Sequence, residues 1–309
     1  MTQKYFAFKA LLQGTTWMSP AYVGIDSHGR IAEVLDVKPR KGFIEQVDGY
    51  AIPGFQNAHS HAFQYAMAGL AEIHSTQSTP DDFWSWREAM YALALSINPD
   101  QMEAIATQLY AEMIRHGYTH VAEFHYVHHS QNGKRYSNLA EMGERLVMAA
   151  KKAGIKITLV PMFYEKGGFG KEPVDGQRRF ISKNADAYLE LLAASEKATM
   201  QYQGAQLGFG YHSLRAVSQD SLKAVLPESK GRPIHIHIAE QLKEIDDCVA
   251  FYGKRPVEWL YEQVQVNDQW HLVHATHLAD NEVKTIASSG AHVVICPSTE
   301  GNLGDGIFR

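Results

Sequence analysis

Apolar positions along this 309-residue chain follow two patterns, and the change between them falls near residue 50. Before it, short β-like runs at residues 4–12, 21–25 and 31–37 are broken by Asp26-Ser27-His28-Gly29 and by the basic stretch 38–41. They predict a small, sandwich-like β domain over residues 1–50. After it, apolar strands alternate with longer segments of helical spacing, the pattern of βα units around a parallel sheet. Strand candidates lie at 51–55, 119–124, 156–162, 206–211, 233–239, 270–275 and 292–296. Asn98-Pro99 supplies an N-cap with proline in the first helical position, opening a helix towards Arg115 that Gly117 stops. Ser137 is the expected cap of another helix, in which Leu139, Met142, Leu146 and Ala149 recur at helical spacing and which Gly154 closes. Seven such units without a short repeat predict an α/β fold, a (β/α)8 TIM-like barrel over residues 51–309 with strands one to seven present.

Composition narrows the class. A hydrophobic fraction of 45% and a charged fraction of 20% exclude a disordered or fibrous chain. The net charge of -5 argues against general affinity for nucleic acid or an anionic membrane, leaving a small molecule as the expected partner. Cys248 and Cys296 cannot build a disulfide framework, and the first ten residues hold no apolar run fit for secretion or a membrane span. Both features suit a cytoplasmic protein. The unusual count is 16 histidines, several clustered inside apolar segments, which points to metal or proton chemistry.

Three clusters carry that chemistry. His59 and His61 are two residues apart in an extended segment, so both rings face one side and could share a metal; alone, such a pair also suits two ordinary hydrogen-bonded histidines. In His235-Ile236-His237-Ile238-Ala239-Glu240 the two histidines share a face, and Glu240, beyond the strand, can lean over a metal held by His237. The alternative is a buried strand with a solvated glutamate, though an apolar strand gains nothing from two imidazoles. In Trp270-His271-Leu272-Val273-His274-Ala275-Thr276-His277, alternation after the Leu272-Val273 pair is expected to turn His274 inward and leave His271 and His277 structural or exposed.

The runs PGFQNAHSHAFQ, HIHIAEQ and LVHATH, in this order after a small β domain, resemble the amidohydrolase superfamily. Within it, FWSWRE, EFHYVHH, YHSLRAV and STEGNLGDGIF extend the resemblance over essentially the whole chain to the formimidoylglutamate deiminases. These iminohydrolases convert N-formimino-L-glutamate to N-formyl-L-glutamate and ammonia in histidine degradation. The resemblance implies that His59, His61 and His237 bind one divalent metal ion, zinc or similar, that Glu240 shuttles the proton, and that His274 stabilises the tetrahedral centre. It implies that Gln64 contacts the formimino group, and that Arg87, Tyr126, His212 and Arg215 hold the two carboxylates. Arginine forks suit a dianion without reference to any family, although Arg87 could instead stack on Trp84 and Tyr126 could merely pack. No organic cofactor is expected, and a homodimer is the expected assembly. The H-x-E and P-C-x-x-C signature of cytidine-type zinc deaminases is missing from the sequence.

The same resemblance implies a further metal ligand, an aspartate ending an eighth strand, and later strands completing the small β domain. The chain given ends at Gly304-Asp305-Gly306-Ile307-Phe308-Arg309, and Asp305, in a Gly-flanked turn ahead of that strand, is a poor substitute. Little or no activity is therefore expected of the 309 residues by themselves. Rival readings are an aminohydrolase of guanine, a cytosine-like base or an aminotriazine, an imidazolonepropionase, and a non-catalytic fragment or metal binder.

Overall fold

The computed structural model describes residues 4–69 and 83–309, with side chains from residue 86 onward in the second stretch. The chain divides into two compact units, Met1–Phe55 and Gln56–Arg309.

The first unit is all β: β1 (Lys4–Phe8), β2 (Ala10–Gln13), β3 (Thr16–Met18), β4 (Ala21–Ile25), β5 (Ile31–Leu35), β6 (Phe43–Gln46) and β7 (Tyr50–Ala51). They form one sheet in the order β5-β4-β1-β6 and another in the order β3-β2-β7. The apolar run at 4–12 is thus two strands in different sheets, parted at Lys9, whose N–H donates to the Gly49 carbonyl.

The second unit holds β8 (Phe55–Ser60), β9 (Tyr118–His125), β10 (Lys156–Phe163), β11 (Ala205–Leu207), β12 (Phe209–Ser213), β13 (Ile234–Ile238), β14 (Trp270–His274) and β15 (His292–Val294). Their order is β8-β9-β10-β12-β13-β14-β15, with β11 beside β10, and the pairs from β9 to β15 are parallel. Around them run α1 (Phe83–Ser96), α2 (Pro99–Arg115), α3 (Glu141–Ala153), α4 (Ala185–Thr199), α5 (Gln219–Val225), α6 (Leu242–Tyr252), α7 (Pro256–Gln263), α8 (Asp280–Ser289) and α9 (Pro297–Leu303). This is the parallel βα-barrel architecture that the sequence predicts. Strands covered on both faces read as continuous apolar runs, and β12 and β13 are buried at every position.

Three boundaries differ from expectation, each for a local reason. The first barrel strand is 55–60 rather than 51–55, because Tyr50–Ala51 pairs with β2 and Pro53-Gly54 interrupts the chain. His59 therefore lies in the strand, and only His61 follows it. The fourth strand divides at Gly208: a Cβ there would meet Val160 at 2.8 Å, and one at Gly210 would meet Met162 at 2.2 Å, so this segment approaches β10 too closely for a side chain. Ser137 does not cap α3. Asn138 organises that turn instead, accepting from the Ala140 N–H at 3.1 Å and donating to Glu144 at 2.8 Å, and Leu139 stays outside the helix. The α2 start holds a full capping box between Asn98 and Gln101, with Pro99 at the first helical position.

One buried cation fixes the helices beside the site. Arg179, fully buried, donates to the carbonyls of Ala94 and Ile97 at the end of α1 and of His129 beyond β9, the last two at 2.7 Å. It thereby holds α1, which carries Arg87 and Tyr91, against the loop after β9.

Candidate active site

His59, His61, Gln64, Arg87, Tyr126, His212, Arg215, His237, Glu240 and His274 all line one cavity of about 610 Å³, at or just beyond the C-terminal ends of β8, β9, β12, β13 and β14. His59, His61 and His237 form a three-imidazole cluster. The Nε2 atoms of His59 and His61 are 3.0 Å apart, and those of His59 and His237 are 3.1 Å apart. His61 Nδ1 donates to the Phe124 carbonyl at 2.9 Å and His237 Nδ1 to the His212 carbonyl at 3.1 Å. Those contacts fix the tautomers and leave both Nε2 atoms as lone-pair donors. Burial drives all three rings towards the neutral form, His61 down to about 4, with the neighbouring imidazoles adding to the effect on His59 and His237. Neutral rings offer at most one proton, from His59, for two N···N contacts. The donor set thus fits a cation at the convergence point, and its chemistry is that of a nitrogen-ligated divalent metal.

Beside it lies an acid–imidazole pair. Glu240 Oε1 is 3.4 Å from His274 Nε2, and His274 Nδ1 donates to Glu300 Oε1 at 3.2 Å. Burial raises the Glu240 carboxyl to about 7; Arg215 opposes the rise, while Glu244 and Glu300 add to it. Burial also lowers His274, against the pull of Glu300 and Asp305.

The route by which His274 reaches the site corrects the alternation argument. In register, His271 pairs with His235, and their rings stack at 4.5 Å, so His271 shares the face of His235 and His237. His274 pairs with Ile238 and would face away. A φ of +71° at His274, followed by +46° at Ala275, reverses the strand end and brings the ring within 5.3 Å of His237. Such non-glycine conformations cost about 1–3 kcal/mol each and cluster at functional sites.

The remaining residues line the same cavity. Gln64 donates to the Tyr126 hydroxyl at 2.9 Å, and the His212 ring lies 5.2 Å from His237. Arg215 is 3.8 Å from Glu244. The Arg87 guanidinium sits 5.6 Å over the Tyr91 ring; the Trp84 side chain lies outside the described residues. Asp305 is buried with Glu240 and His274, not with the three-histidine cluster, and bonds to Gln241.

Sequence reasoning missed Glu300, Glu123, Tyr91, Tyr164 and Gln177. Glu300 sits in the STEGNL run without marking itself as a partner for histidine. Glu123, buried on β9, accepts from the Ala62 N–H at 2.6 Å and the Tyr110 hydroxyl at 3.0 Å. Gln177 donates to Tyr164 at 2.8 Å and Tyr91 at 3.3 Å, joining three distant segments.

The chain belongs to the amidohydrolase family, which residues 50–309 match. It is 48% identical over 305 residues to formimidoylglutamate deiminase of Pseudomonas aeruginosa, covering 98% of this chain and 66% of that relative. The crystal structure of an amidohydrolase from Brucella melitensis superposes with a TM-score of 0.92 at 43% identity, over 99% of this chain and 68% of that one. A zinc-bound adenosine deaminase from Xanthomonas campestris shares the fold alone, with a TM-score of 0.75 at 20% identity, over 99% and 65%. Among the described residues, no helix is long and apolar enough to cross a membrane.

Proposed function

We propose that this chain belongs to an enzyme that hydrolyses N-formimino-L-glutamate to N-formyl-L-glutamate and ammonia, using one zinc ion held by His59, His61 and His237. The observation that carries this reading is a single cavity lined both by three convergent imidazoles with Glu240 and by two arginines. Arg87 and Arg215 suit the two carboxylates of a glutamate moiety, whereas a flat purine has no use for paired guanidinium forks. The chain spans 66% of the length of the Pseudomonas deiminase, so the reading concerns the whole protein of which these residues form the site.

A divalent metal held by His59, His61 and His237 would supply Lewis acidity that lowers the pKa of water towards neutrality. Glu240 accepts a proton as the water oxygen bonds to the amidine carbon. A carboxyl near 7 is matched to that exchange at neutral pH. His274, oriented by Glu300, faces the developing tetrahedral centre and stabilises its charge. Glu240 returns that proton to the terminal nitrogen; as the C–N bond breaks, the remaining hydroxyl proton of the tetrahedral centre passes by the same carboxylate to the departing nitrogen, so ammonia leaves with both protons of the water and the formyl group stays on glutamate. Gln64 orients the formimino end, while Tyr126, whose hydroxyl accepts from Gln64, and His212, whose carbonyl holds His237, belong with the arginines to the wall that holds the carboxylates.

The test is ammonia release by the zinc-loaded protein from N-formimino-L-glutamate, guanine and cytosine. Release from the first alone is expected; release from a base and none from the amidine overturns the reading.

A further inference from the structure

Gln177 is a buried glutamine at the end of a single 3-10 turn, residues 175–177, far in sequence from every motif of the site, and both of its amide functions are engaged. Its Oε1 accepts from the Val174 N–H at 2.9 Å, which fixes which end of the amide is which. Its Nε2 therefore faces Tyr164 and Tyr91 as a donor, at 2.8 Å and 3.3 Å. Because each phenolic oxygen accepts from the amide, the phenolic protons must point elsewhere. Each hydroxyl can then turn its proton towards a group in the cavity, which both residues line.

The pair is held rigidly. A Cβ at Gly176 would meet the Tyr91 ring at 2.9 Å, so the backbone beside Gln177 presses on that ring, while Arg87 lies over it at 5.6 Å. Tyr164, buried, lies against His212 with ring centroids 4.3 Å apart. Arg215 is within electrostatic reach of both phenols. All six of these side chains border the cavity.

We infer that Tyr164 and Tyr91, oriented by Gln177, form a phenolic donor pair that completes the carboxylate-binding wall around Arg215 and favours dicarboxylates over monocarboxylates. This rests on the proposed function in taking a carboxylate as the ligand. Tyr164 and Tyr91 would touch the substrate; Gln177 is a positioning residue that acts through them. An aromatic hydroxyl beside a guanidinium adds directionality that charge alone lacks, and a hydrogen bond to a charged group is commonly worth tenfold or more in affinity.

Calorimetric titration of the zinc-loaded protein with glutarate and with valerate, which lacks one carboxylate, tests the inference. Wild type is expected to prefer glutarate. Tyr164→Phe and Gln177→Met are expected to weaken glutarate about tenfold or more while valerate affinity stays within about twofold. A merely structural role would weaken both ligands together. Tyr164→Phe keeps the ring packing, so it reports even where Gln177→Met destabilises the fold. Unchanged glutarate affinity in Tyr164→Phe and Tyr91→Phe overturns the inference and leaves the proposed function standing. No preference for glutarate in the wild type overturns both.

Discussion

Glu123 offers a sharp test of how the metal-ligand turn is held. Its carboxyl, 2% exposed, accepts from the Ala62 N–H at 2.6 Å and the Tyr110 hydroxyl at 3.0 Å. It thereby anchors the backbone directly after His61, and its neighbour Phe124 provides the carbonyl that fixes the His61 tautomer. Glu123→Ala strands two buried donors, each costing about 1–3 kcal/mol, for a total of roughly 2–6 kcal/mol. A domain's whole stability is about 5–15 kcal/mol, so the loss is large. Glu123→Gln keeps the acceptor for Ala62 and leaves the turn intact. Burial raises the Glu123 carboxyl to about 8 from its usual 4.5, against the hydrogen bonds that lower it. The folded state therefore keeps a proton that the unfolded chain releases, and stability falls as pH rises between those two values. The glutamine variant lacks that slope. Urea unfolding of the metal-free protein at pH 5, 6.5 and 8, paired with zinc competition against a chelator, measures both effects. Zinc affinity should fall about 10–100-fold in the alanine variant and hold in the glutamine variant. An alanine cost below about 0.5 kcal/mol, or an unchanged pH slope in the glutamine variant, refutes the reasoning.

Two further outcomes follow from the geometry. Glu240→Gln should lower kcat by about 10²–10⁴ with zinc binding intact, and in the wild type kcat/KM should rise with pH around a midpoint near 7, since the base works deprotonated. Arg179→Met leaves the carbonyls of Ala94, Ile97 and His129 without their buried donor and should cost about 3–6 kcal/mol by urea unfolding.

What the sequence made legible follows from range. His59, His61, His235 and His237 announce themselves because a strand's period of two puts each pair on one face. The capping box at Asn98 and the stop at Gly154 are equally local, and both occur where expected. The start of β8 was misplaced because Ala51 and Ile52 look like strand residues, yet pairing with β2 claims only the former. His274 reaches the site through a left-handed backbone that no periodicity reveals. Glu123, Tyr164 and Gln177 were invisible because their significance lies in partners 13 to 86 residues away.

The account depends on three imidazoles converging on one cation, and a zinc titration of the metal-free protein tests this most directly. The wild type should bind one zinc per chain at a tight site, while His59→Ala and His237→Ala lose that site and His235→Ala keeps it. Tight, stoichiometric zinc in the His59 and His237 variants would contradict it.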